Sequence, residues 1–195
     1  MTSAVPRPSV SIEAYLAMEA TSTERHILWD GEVFAVEATA DGTIDHGTVC
    51  ANVVTMLGVA LLASRCRVMT SDVKIWVPRK KGFVYPNASV VCGRPEAYPG
   101  TTDTVTNPLL LIEVLSEGTE RFDRGEKFDG YRSIASLRHY VMVSTERRRV
   151  EHYERVEGDA WILRVYGSGD AARLTAPDVI LPVDALYRMV DDGAA

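Results

Sequence analysis

Apolar and polar positions recur with two different periods along this chain of 195 residues, and the switches between them mark its elements. Ser11 stands ahead of Ile12–Glu19, where Ile12, Tyr15 and Leu16 share one side, which predicts a short capped helix. Residues 26–29 and 32–36 flank Asp30-Gly31, a strong two-residue hairpin signal. Gly42 and Thr43 open the longest helical pattern, over 43–64, with His46, Cys50, Val53, Leu57 and Leu61 at its 3.6-residue period. Strands are expected over 67–77 (broken near Ser71), 83–92 and 109–116, separated by a turn at 79–82 and a polar loop over 93–107. A helix over 123–134, a strand over 138–144 and a hairpin of 150–155 with 161–166 follow, before a final extended segment. Residues 1–8 read as a flexible arm and 191–195 as a tail.

This order predicts an α/β (mixed α+β) fold, in which a central mixed sheet is flanked by helices and extended by the N-terminal hairpin and the C-terminal strands. No repeat or linker interrupts it, so one domain over 1–195 is expected. The composition, 46% hydrophobic and 25% charged, is that of a soluble globular protein. A net charge of −6 argues against binding nucleic acid through bulk charge, though not against a local basic cleft. The clusters Arg79-Lys80-Lys81 and Arg147-Arg148-Arg149 read as solvated hairpin turns. Cys50, Cys66 and Cys92 show neither CxxC nor zinc-type spacing, and three reduced thiols in a cytoplasmic protein are expected. The N-terminus lacks the apolar core of a signal peptide, and no apolar stretch is long enough to span a bilayer.

The chemistry concentrates in LLLIEVLSEGTERFDRGEKFDGY, residues 109–131. Glu113 interrupts a buried strand pattern, and an ionised carboxylate in such a place needs pairing, hydrogen bonds or a metal. Alternation puts Leu109, Leu111, Glu113 and Leu115 on one face and Leu110, Ile112, Val114 and Ser116 on the other. Asp123, Lys127 and Tyr131 are spaced to share one helix face. An Asp–Lys pair at that spacing is often a surface pair only. His46 is as compatible with a satisfied core histidine as with a ligand, and Glu32 with a hairpin-edge carboxylate. Asp72 is another acid in an apolar strand, and a polar residue at Asn87 starts the strand expected beside Glu113. Carboxylates on neighbouring strands suit a hard cation such as Mg²⁺, and a nearby lysine can activate water and stabilise charge on a phosphate.

YPNASVVCG, LLLIEVLSEGT and DRGEKFDGY together resemble the PD-(D/E)XK nuclease superfamily. They are closest to the Uma branch, number two of that name, of restriction-endonuclease-like endonucleases. The resemblance runs from about Ser11 to Tyr153. It implies a restriction-endonuclease-like core, a Mg²⁺ (or Mn²⁺) cofactor, DNA as partner and a homodimer that cuts both strands. By position it makes Glu113 the metal-binding acid of the third strand, with the backbone carbonyl of Val114 as a further ligand. Leu115 stands where the superfamily has its lysine, and Lys127 is the candidate replacement. Asp72, His46 and Glu32 match recurrent polar positions.

One departure stands out: the family's Pro-Asp is Pro86-Asn87 here. An amide offers a carbonyl oxygen to a cation but no negative charge. A natural loss and an engineered replacement fit equally, and Asp72 or Glu32 is a candidate to restore the charge. The leading expectation is a Mg²⁺-dependent DNA endonuclease impaired by Asn87. The alternatives are a non-catalytic nucleic-acid- or protein-binding module with the same fold, and a purely structural Glu113–Lys127 pair.

Overall fold

Strand β8 (Leu110–Leu115) lies inside a six-stranded sheet and is buried along its whole length. The sheet, in a computed structural model that describes residues 9–36, 43–116 and 118–190, is built from β3 (Cys66–Thr70), β6 (Ala88–Cys92), β8, β9 (His139–Ser144), β10 (Val150–Arg155) and β11 (Trp161–Tyr166). Its order is β11-β10-β9-β8-β6-β3. β6 and β8 are antiparallel, whereas β8 and β9 run parallel, so the sheet is mixed as expected. A parallel pair needs a crossover. Here it is a composite helix: α3 (Glu120–Phe122), a π turn (Asp123–Lys127) and α4 (Phe128–Tyr131). It begins three residues before the expected Asp123.

The strands expected over 67–77 and 83–92 each split between two sheets. β3 belongs to the six-stranded sheet, but β4 (Lys74–Val77) joins a second sheet with β1 (His26–Trp29), β2 (Glu32–Ala35), β5 (Gly82–Val84) and β7 (Thr104–Val105). The chain returns to the first sheet through Tyr85-Pro86-Asn87. Proline has no N–H to give to a ladder, so it suits the point where one sheet ends and the next begins. The hairpin at Asp30-Gly31 forms as expected, with both residues at positive φ.

The two faces of the six-stranded sheet carry separate cores, and the alternation along β8 decides which residue faces which. Leu110, Ile112 and Val114 pack with Val49, Val53 and Leu57 of α2 (Ile44–Ala60). Thr43 caps α2 by accepting from the His46 N–H at 3.0 Å, while Gly42, the other expected opener, lies outside the described residues. His46 and Cys50 sit at the margin of the buried stripe rather than at its centre. The expected final extended segment is a hairpin, β12 (Ala171–Thr175) with β13 (Asp178–Pro182), followed by α5 (Val183–Leu186). Its Val179, Leu181, Val183 and Leu186 complete this first core. On the opposite face Leu111 and Leu115 pack with Ile75 and Val77 of the second sheet and with Tyr131.

One expectation needs correction. Cys66 and Cys92 are directly opposed on β3 and β6 and are joined as a disulfide, leaving Cys50 as the free cysteine. Their separation of 26 residues hid a cross-strand pair that only the register reveals. The basic turns carry ion pairs: Arg79 pairs with Asp129 at 2.9 Å, Lys80 with Asp30 at 3.1 Å, and Arg149 with Glu151 at 2.7 Å. No described helix is long and apolar enough to cross a membrane. The arm at 1–8 and the tail at 191–195 lie outside the described residues.

Candidate functional site

Glu113 is 3% exposed and lies on the β8 face that the composite helix covers. Its Oε1 accepts two hydrogen bonds, from Lys127 Nζ at 3.0 Å and from the Tyr131 hydroxyl at 2.8 Å. Lys127 Nζ also lies 2.7 Å from Asp123 Oδ1, an ion-pair contact off the line of a well-directed hydrogen bond. One ammonium therefore bridges two buried carboxylates. Asp123, Lys127 and Tyr131, spaced i, i+4, i+8, are all turned inward, at 1%, 9% and 0% exposure, and the first two lie in the π turn. π turns recur at functional sites because they break the regular helical spacing. The Tyr140 hydroxyl donates to the Asp123 carbonyl at 3.0 Å and fastens the turn to β9.

Asn87 closes the site from the neighbouring strand. The register Ala88↔Ile112 brings position 87 alongside Glu113, and Asn87 Oδ1 accepts from the Val114 N–H at 2.8 Å. The Val114 carbonyl lies 3.2 Å from His46 Nε2. A carbonyl only accepts, so His46 Nε2 carries a proton here, and Nδ1 faces Cys50 Sγ at 3.8 Å.

The electrostatics follow from burial. Loss of solvation pushes the Glu113 carboxyl up to about 7, against the pull of Lys127 and with the added repulsion of Asp123. Burial also works against the charge on Lys127, but the two carboxylates outweigh it and hold the ammonium above its ordinary range. Burial, then the nearby Glu113 charge, push the Cys50 thiol up to about 12, so it is not an activated nucleophile.

Among the described residues no three His, Cys, Asp or Glu side chains converge on a metal position. The oxygens at hand are the Glu113 carboxylate, the Asn87 amide and the Val114 carbonyl. These are hard donors of the kind Mg²⁺ takes, but they carry one negative charge rather than two. The set fits a hard divalent cation in kind and is short in charge.

Residues 12–184 match the Uma2 family, described as "Putative restriction endonuclease". The chain belongs to the Uma2 family. An uncharacterized protein of Synechocystis sp. is 30% identical over 183 residues, covering 94% of each chain. A second from the same organism is 30% identical over 149 residues, covering 76% of this chain and 82% of its own. Among solved structures, a chain described as a "putative nuclease belonging to DUF820" from Anabaena variabilis matches with a TM-score of 0.72. It covers 92% of this chain and 98% of its own at 10% identity, a likeness of fold. The restriction-endonuclease-like architecture expected from the sequence is the one this Uma2 chain has.

Of the residues singled out in the sequence, the structure brings together Glu113, Val114, Asn87, Lys127, Asp123, Tyr131 and His46. It does not bring Asp72 to them. Asp72 sits on the turn after β3, not within a strand, with its side chain 70% exposed and paired to Arg25. The Thr70 hydroxyl and then Arg25 hold its carboxyl below the usual range. Glu32 opens β2 opposite Trp29, in the five-stranded sheet rather than beside β8. Asp72 therefore supplies no replacement for the missing aspartate. One contributor escaped the sequence reading, Tyr140. Tyr140 could have been found: a tyrosine inside the apolar run of 139–144 needs a partner for its hydroxyl.

Proposed function

We propose that this Uma2 chain is a Mg²⁺- or Mn²⁺-dependent endonuclease-type hydrolase acting on DNA phosphodiesters, with its activity held low by Asn87. The observation that carries the reading is the buried Glu113–Lys127–Asp123 triad with Asn87 alongside it, at the end of two central strands. A cation would be held by Glu113, the Asn87 amide oxygen and the Val114 carbonyl, and would supply Lewis-acid stabilisation of charge on the phosphate. The chain's own residues do the rest. Hydrolysis joins a water oxygen to phosphorus and breaks the P–O ester bond, with a proton passing to the leaving oxygen. Lys127 offers a fixed ammonium to the negative charge that builds up in this step. Tyr131 and Asp123 hold that ammonium and the Glu113 carboxylate in register, and His46 fixes the Val114 carbonyl.

The single carboxylate among these three donors favours weak metal binding. The test is calorimetric Mn²⁺ and Mg²⁺ titration together with cleavage of DNA and RNA by the natural chain, Asn87→Asp and Asn87→Asp/Glu113→Gln. Asn87→Asp should bind metal more tightly and cleave faster, and the double variant should lose both gains. An Asn87→Asp chain that neither binds metal nor cuts any nucleic acid ends the enzyme reading.

A second reading, a non-catalytic binding module, is favoured by how fully the polar groups are already satisfied. The Asn87 oxygen is engaged by the Val114 N–H, and Glu113 by Lys127 and Tyr131. That reading expects nucleic-acid or protein binding indifferent to chelator and to Glu113→Gln.

A further inference from the structure

The six-stranded sheet carries a second concentration of charge, away from Glu113. Arg65 and Arg67, at the start of the edge strand β3, and Arg94, just after β6, rim one concavity of about 500 Å³. None of the three has a carboxylate within ion-pair distance among the described residues. Arg79, Arg124 and Arg164, in contrast, are each neutralised by an acid. In a chain of net charge −6, three exposed and unneutralised guanidinium groups around one hollow form a local field of the opposite sign.

The backbone under them is held from several sides. Cys66 is bonded to Cys92, the Gly93 N–H donates to the Arg65 carbonyl at 2.9 Å, and Asn107 Nδ2 donates to the Arg94 carbonyl at 3.0 Å. The three arginines therefore project from a fixed frame rather than from a free loop.

The position relative to the catalytic candidates follows from the register. Met69 packs in the same core as Leu111 and Leu115, so Arg67 and Glu113, each two positions from one of these, share a face of the sheet. Arg67 is paired with Val91, and Asn87 lies four positions before Val91, about 13 Å along β6. Nucleic-acid strands carry a phosphate for roughly every 3.4 Å of axial rise, so the offset is a few phosphates.

We propose that Arg65, Arg67 and Arg94 form a phosphate-backbone clamp that holds the duplex several nucleotides from the Glu113 centre. The proposal builds on the DNA reading above, but it assigns binding to residues that the triad does not use. Such a clamp would be indifferent to base sequence and sensitive to salt.

The test is fluorescence anisotropy of the full chain with a short duplex DNA in excess EDTA, across a range of salt. The natural chain, a triple Arg→Gln variant at 65, 67 and 94 and the matching triple Arg→Lys variant are compared. The triple Gln variant should bind about tenfold more weakly or worse, with a salt slope shallower by about 0.9 for each phosphate no longer neutralised. The Lys variant should retain much of the binding. Equal affinity and salt slope for the natural and triple Gln chains would overturn the clamp, as would a natural chain that does not bind duplex DNA. Because these measurements need no metal, the clamp can stand if Asn87→Asp proves inactive, and it can fail while Asn87→Asp cleaves. Unchanged melting temperatures for the two triple variants confirm that the comparison reports binding and not folding.

Discussion

Lys127 reaches Glu113 at 3.0 Å and thereby ties the crossover helix to the buried strand β8. The same ammonium lies 2.7 Å from Asp123, so its charge is shared and neither carboxylate is paired alone. The two ends of the bridge should therefore respond unequally to substitution. Lys127→Met strands two buried carboxylates without a counter-ion and should cost about 3–5 kcal/mol in urea denaturation. Glu113→Gln leaves Lys127 paired with Asp123 and keeps a carbonyl oxygen for the Tyr131 hydroxyl, so its cost should be smaller, about 1–2 kcal/mol. Equal losses from the two substitutions would show that Asp123 does not share the charge.

Asn87 has a structural role that can be separated from any catalytic one. Its Oδ1 accepts from the Val114 N–H at 2.8 Å, a bond that an aspartate oxygen at this position would also make. Asn87→Ala leaves that buried N–H without a partner and should destabilise the fold by about 1–3 kcal/mol. Asn87→Asp keeps that bond but places a further carboxylate beside Glu113, so without metal it should lower the denaturation midpoint, by less than Asn87→Ala does. If both substitutions are equally destabilising, the hydrogen bond is not what the asparagine contributes.

Gly130 sets how closely the helix approaches the second sheet. A Cβ at this position would fall 2.6 Å from Trp29 Cη2 and 3.0 Å from Val77 Cγ1. The helix end carrying Tyr131 would have to move off β8, or Trp29 would have to leave its place. Gly130→Ala should cost about 1–3 kcal/mol by overpacking, despite alanine's better helix propensity. A thermal melt shows the direction, and a neutral or stabilising result would mean that Trp29 yields freely.

Much of this arrangement was readable from local pattern, and what was missed is non-local. The alternation in LLLIEVLS places Glu113 on the correct face, because a two-residue period needs no knowledge of neighbours. The spacing of Asp123, Lys127 and Tyr131 predicts their shared face, although the π turn within that helix leaves no periodic trace. Asp72 misled because a short polar stretch between two apolar runs looks the same inside one interrupted strand as in a turn between two strands. Cys66 and Cys92 meet only through the β3–β6 register, and the β12–β13 hairpin was read as one extended segment. Its turn runs through Ala176-Pro177, without the Asn-Gly or Asp-Gly signal that marked the N-terminal hairpin.

On the far side of the sheet, His139 and His152 form a chain of hydrogen bonds that leaves no room for an added proton. The Ala176 N–H donates to His139 Nε2 at 3.1 Å, so that nitrogen is unprotonated. His139 Nδ1 then donates to His152 Nε2 at 2.8 Å, and His152 Nδ1 keeps its own proton, buried without a partner. Burial lowers both imidazoles to about 4, with Arg138 and Arg164 adding to the effect on His139 and Glu154 opposing it. For His152, the neighbouring His139 and Arg164 add to burial, and Glu154 again opposes. The sign follows: below an unfolded value of about 6.5 the unfolded chain binds protons that the folded chain refuses. The contribution is complete above about 6.5 and is lost as pH falls toward 4, by about 3 kcal/mol for the first imidazole to charge. Urea midpoints measured across this window should fall steadily with acid, and His152→Gln should flatten the dependence. A variant that follows the same curve as the natural chain would place the acid sensitivity elsewhere.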